Sequence, residues 1–125
     1  MNTILLIEDG LESSPTADLL NRSGYRVIAA DDGSSALSLL QKGASVDLVI
    51  IDYAASGSAS LELLHSLKKI APAVPSILLA SNASIEMYLK ALSLGVFEYL
   101  NKPVKTEELI RTVKTALEKT RFLTK

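Results

Sequence analysis

No cysteine occurs among the 125 residues, which excludes disulfides and thiolate metal sites and fits a reducing cytoplasm only weakly. No apolar run approaches the ~18 residues needed to span a membrane. The opening Met1-Asn2-Thr3 leads straight into an apolar strand, so no secretory leader is expected. Charge of one sign is not concentrated anywhere: 13 basic and 14 acidic residues leave a net charge of −1, with Lys and Arg spread through the helices. No basic patch points to direct nucleic-acid binding. The single histidine, His65, sits among Ser66, Lys68 and Lys69 and reads as a solvent-facing residue without a role. The expectation is one cytoplasmic domain over residues 1–125, with no membrane contact and a core of ordinary size.

What is present is an alternation. Asp47-Leu48-Val49-Ile50-Ile51-Asp52 holds four consecutive apolar residues, three of them β-branched, and reads as a strand buried on both faces. It ends on a carboxylate that belongs at the strand's C-terminal end, where the chain turns out to solvent. Ile4-Leu5-Leu6-Ile7 is a similar run and ends on Glu8-Asp9-Gly10. Further strands are expected at residues 25–30, 76–80 and 96–100. Between them lie stretches with helical spacing. Ser13 or Ser14 caps the first helix, with Pro15 in its first turn; Gly24, Gly43 and Gly95 stop the first, second and fourth. Thr106 with Glu107 and Glu108 opens the last helix. Five βα units in succession call for a parallel sheet covered by helices on both faces, a three-layer αβα architecture.

In a parallel sheet all strand C-terminal ends share one edge, and ligands bind in the crevice beyond it. Glu8 and Asp9, Asp52, Ala80 and Ser81, and Lys102 then converge. Taken singly, each is ordinary turn or cap chemistry; their coincidence at one edge is the specific signal. Two carboxylates ~5 Å apart repel by about 3 kcal/mol at an effective dielectric near 20. Lys102 offsets part of that repulsion. A divalent cation would offset more, and an all-oxygen donor set completed by water suits Mg²⁺.

On these residues the chain resembles, over essentially its whole length, the receiver domain of bacterial two-component response regulators. Ile7-Glu8-Asp9 resembles that family's acidic pair, Val49-Ile50-Ile51-Asp52 its phosphoacceptor strand, and Tyr99-Leu100-Asn101-Lys102-Pro103 its lysine motif. The resemblance implies a flavodoxin-like fold with five strands in the order 2-1-3-4-5. It implies that Asp52 accepts a phosphoryl group from a sensor histidine kinase or phosphotransfer protein, with Mg²⁺ as cofactor. Asp9, Asp52 and the backbone carbonyl of Ala54 would hold the ion, with Glu8 acting through water. Lys102 would contact phosphoryl oxygens, Tyr99 would be the switch aromatic, and the bond before Pro103 is a cis candidate. Such a domain is a phosphoacceptor that at most assists its own phosphorylation and dephosphorylation, and it stands alone in some proteins and precedes an output domain in others.

Two departures from the family pattern stand out. Ala55-Ser56-Gly57 follow the acceptor loop where Met or Leu and then Pro-Gly are usual. The usual Thr or Ser at the end of the fourth strand is Ala80, which has no donor and implies a weakened switch. The nearest hydroxyl, Ser81, comes one residue late, where one step along a strand reverses side-chain direction; it is a phosphate-contacting candidate beside Lys102 if the loop turns it inward. The fourth helix carries two apolar stripes, Ile85/Leu89/Leu92 and Met87/Ala91/Leu94, of which one helix face buries only one. The Met87, Ala91 and Tyr99 face is therefore expected to meet a second copy or an output partner. The alternatives are a receiver-like interaction module that works without phosphorylation, favoured by Ala80, and a flavodoxin-like nucleotide binder or phosphatase. Glu8-Asp9 opposes the last, because a phosphate-cradling loop needs glycines and exposed N–H groups.

Overall fold

The computed structural model describes residues 2–8, 14–52, 57–81 and 84–123. The elements in chain order are β1 (Thr3–Glu8), α1 (Pro15–Arg22), β2 (Arg26–Ala30), α2 (Gly33–Gln41), β3 (Leu48–Asp52), α3 (Gly57–Ile70), β4 (Ser76–Ala80), α4 (Ile85–Ser93), β5 (Glu98–Asn101) and α5 (Thr106–Leu123). The five strands are parallel, as the alternation predicts, and lie in the order β2-β1-β3-β4-β5, as the family resemblance implies.

Period-two alternation divides the strand side chains between two cores. On one face Leu5, Ile7, Val49, Ile51, Leu78, Ala80 and Tyr99 pack with Ala36 of α2, Leu64 of α3 and Ala91 of α4. On the other, Ile4, Leu6, Leu48, Ile50, Ile77, Leu79 and Leu100 pack with Leu20 of α1 and Leu109 and Val113 of α5. The central strands β1 and β3 are covered on both sides, which is why they read as unbroken apolar runs. No helix among the described residues is long and apolar enough to cross a membrane.

Helix ends follow their local chemistry. Of the two candidate caps for α1, Ser14 carries the role: its Oγ accepts the Ala17 N–H at 2.9 Å. Asp32 and Ser84 cap α2 and α4 in the same way. Helix α4 closes in a Schellman turn, with Gly95 N–H on Leu92 O at 3.0 Å and Val96 N–H on Ala91 O at 3.1 Å. That turn explains one departure from the sequence expectation. Val96 is taken up by the end of the helix, so β5 begins only at Glu98 and runs on to Asn101.

A second departure concerns α4. Met87 and Ala91 were expected to face a partner. Ala91 is fully buried, and Met87 packs against the core beneath it. The outward stripe is Ile85 at 78% exposure and Leu89 at 58%, joined by Leu92 and Tyr88. Both stripes have helical spacing, and the small Ala91 is the one that lets α4 approach the sheet beside Tyr99.

Gly43 and Gly95 both adopt positive φ, at +92° and +90°, but their surroundings differ. A Cβ on Gly43 would meet nothing within 4 Å, whereas one on Gly95 would lie 3.2 Å from Lys68 Cε. In urea unfolding, Gly43→Ala is expected to cost about 1–2 kcal/mol, the penalty of the left-handed backbone alone. Gly95→Ala is expected to cost more, with the excess removed in a Lys68→Ala background. Equal costs for the two glycines in the wild-type background would contradict this packing.

Candidate functional site at the carboxyl edge of the sheet

The parallel register brings the polar residues together. Glu8 pairs with Asp52 at the ends of β1 and β3, Asp52 with Leu79 of β4, and Ala80 with Asn101 of β5. The Lys102 N–H donates to Ala80 O at 2.9 Å, which carries the β4–β5 pairing one residue further. Alternation from Leu48 and Ile50 places Asp52 on the α1/α5 face, and the same count from Ile4 and Leu6 places Glu8 there. Leu100 does so for Lys102.

The Lys102 ammonium forms an ion pair with Asp52 Oδ1, the two side chains being 26% and 12% exposed. That carboxylate oxygen is buried, and the Lys102 ammonium is its partner among the described residues. Glu8 is buried alongside. Burial pushes its carboxyl above the ordinary value; the Ser14 hydroxyl opposes the shift, the negative charge of Asp52 and a shared hydrogen bond with it add to it, and Lys102 lowers it. Ser14 thus caps α1, and its hydroxyl also acts on the Glu8 carboxyl. Its capping role was visible in the sequence; its reach to Glu8 depends on how α1 docks and was not.

Beside the ion pair lies a hollow of about 650 Å³, walled by Pro15, Thr16 and Leu19 of α1 and by Val104, Thr106 and Leu109 around the start of α5. Asp52, Leu79, Ser81 and Lys102 also line it. These wall residues have no motif of their own, and sequence reasoning missed them. The Lys102–Pro103 peptide bond at its rim is cis.

Other residues expected at the site fall elsewhere. Tyr99 and Ala80 are buried on the opposite face, under α4. The Tyr99 ring meets Tyr88 edge-on, with centroids 5.8 Å apart and planes at 89°. Asp9 and Ala54 lie outside the described residues, which contain no cluster of three potential metal ligands. Glu8 and Asp52 still offer hard oxygen donors, one of them buried without a hydrogen bond. This donor chemistry suits a small divalent cation such as Mg²⁺.

Because the folded state raises the Glu8 value above its ordinary 4.5, the folded chain holds that proton more tightly than the unfolded chain. The stabilisation is fully present below the unfolded value and is lost as pH rises through the folded one. In metal-free buffer, wild-type stability is therefore expected to fall relative to Glu8→Gln as pH rises from about 4.5 towards neutrality. Parallel stability profiles for the two proteins would contradict the assignment.

Comparison with known proteins agrees with this geometry. The family profile of the response regulator receiver domain matches residues 4–114. The chain is 34% identical over 116 residues to the uncharacterized transcriptional regulatory protein YbdJ of Bacillus subtilis, covering 92% of this chain and 50% of that protein. It is 32% identical over 123 residues to the transcriptional regulatory protein CpxR of Escherichia coli, covering 98% and 52%. The chain thus spans about half the length of these two relatives. A receiver domain protein from Clostridium thermocellum superposes with a TM-score of 0.87 at 28% identity, covering 98% of this chain and 99% of that one. With the sequence family and the fold in agreement, the chain belongs to the response regulator receiver domains.

Proposed function

We propose that this receiver domain takes part in a phosphorelay by accepting a phosphoryl group on Asp52 from the phosphohistidine of a sensor kinase or phosphotransfer protein. The observation that carries the reading is the mostly buried Asp52 carboxylate, held against Lys102 and beside the buried Glu8 at the α1/α5 hollow. A carboxylate oxygen of Asp52 attacks phosphorus in line, the new O–P bond forms as the P–N bond to the donor imidazole breaks, and the freed imidazole takes up a proton. Lys102 moves from neutralising the carboxylate to neutralising the phosphoryl oxygens, so its charge is used before and after transfer. Asp9, Asp52 and the Ala54 carbonyl would hold Mg²⁺, with Glu8 acting through water. The ion, when bound, supplies positive charge where the phosphoryl oxygens gather.

A second reading, a receiver-like module that binds partners without a phosphorylation switch, is favoured by Ala80, whose methyl has no donor to offer. Intact-mass measurement after incubation with acetyl phosphate and Mg²⁺ separates the two. The wild type is expected to gain one phosphoryl mass and Asp52→Asn none. No gain in the wild type, or equal gain in both, would remove Asp52 as the acceptor.

The contact surface for a second copy or an output partner is proposed to be the outward stripe of α4, because its large apolar side chains are exposed side by side. Leu89→Lys is expected to leave acetyl phosphate labelling unchanged and to reduce self-association or partner capture in size-exclusion runs of the labelled protein. Unchanged association would exclude this face.

A further inference from the structure

Strand β4 ends on Ala80, and Ser81 is the residue that follows it. Ala80 packs with Leu78 and Tyr99 beneath α4. Ser81 follows Ile77 and Leu79, which belong to the α1/α5 core, and lines the same hollow as Asp52 and Lys102. The bond from Lys102 N–H to Ala80 O fixes this strand end beside the lysine. A residue that carries a hydroxyl therefore lines the acceptor's hollow, while the Ala80 methyl packs in the core on the other side.

We propose that Ser81 supplies the hydroxyl that hydrogen-bonds a phosphoryl oxygen on Asp52, and that the Tyr88–Tyr99 pair is thereby left out of the response. The inference rests on Asp52 being the acceptor. A serine hydroxyl on the acceptor's side of the sheet donates to a phosphoryl oxygen without any movement of β4. Tyr99 lies across the sheet, already buried among apolar neighbours and edge-on to Tyr88. A conformational equilibrium shifts only through contacts that differ between its states, and Ser81 and Tyr99 do not share a face of β4 and β5 through which such a contact could pass. In this chain the phosphoryl group is read on the α1/α5 side, while Tyr99 serves as fixed core.

The test is a beryllofluoride titration with Mg²⁺ present, followed by fluorine NMR for binding and by proton NMR for the tyrosine rings. Wild type, Ser81→Ala, Ser81→Thr and Asp52→Asn are compared. Ser81→Ala is expected to bind about tenfold more weakly, the effect of one lost hydrogen bond to a charged group. Ser81→Thr is expected to bind within about twofold of wild type, since it keeps the donor. The contact between the Tyr88 and Tyr99 rings is expected to persist in the bound wild type. Wild-type affinity in Ser81→Ala, with binding still lost in Asp52→Asn, would overturn the role of Ser81 and leave the acceptor intact. Separation of the two rings on binding would overturn the claim that they stand outside the response. Absence of binding by the wild type would overturn the acceptor and this inference together. Ser81 is exposed, so its variants are expected to melt with the wild type.

Discussion

A lysine ammonium set against a mostly buried carboxylate is the constraint around which this domain is arranged. Asp52 stands at the end of a fully buried strand, next to a second buried acid, where an uncompensated charge is costly. Removing one partner from a buried ion pair typically costs about 3–5 kcal/mol, and the residual exposure of this pair lowers the figure. Lys102 therefore has to arrive from β5 at the correct depth and on the correct face. The register from β1 through β3 and β4 to β5 delivers it there, and the hydrogen bond from its own N–H to Ala80 O fixes its height.

The same alternation separates the tasks of the two faces. The charged groups and their hollow lie between α1 and α5, whereas the exposed apolar stripe belongs to α4, on the other side of the sheet. A phosphoryl donor approaching Asp52 and a partner covering Leu89 would not compete for space. Communication between the faces has to pass through β4 and β5. There the side chains that cross-pack are Leu78, Ala80 and Tyr99, none of which lines the hollow. Under the proposed function, the absence of a hydroxyl at Ala80 would bear on coupling between the faces more than on the chemistry at Asp52.

Much of this is legible in the sequence. Buried parallel strands leave continuous apolar runs, and five of them alternating with helical stretches leave few topologies. The convergence of Glu8, Asp52 and Lys102 followed from strand direction alone. What could not be read depended on choices between equal local signals. The two stripes of α4 have the same period, and only the fit of Ala91 against the sheet decides between them. The start of β5 was misplaced because Val96 is β-branched, as a strand residue should be, yet the Schellman turn at Gly95 claims its N–H. The place of Ser81 on the hollow was not legible because it lies one residue past the end of β4, where strand alternation no longer applies.

The central claim is that the Asp52 carboxylate, and no other acid at this edge, takes the phosphoryl group. Borohydride reduction of the phosphorylated protein converts an aspartyl phosphate to homoserine, and peptide mass spectrometry then locates it. The account predicts homoserine at position 52 and an unmodified Asp9, with Glu8 likewise unreduced. Reduction product at Asp9 or Glu8, with Asp52 intact, would contradict it.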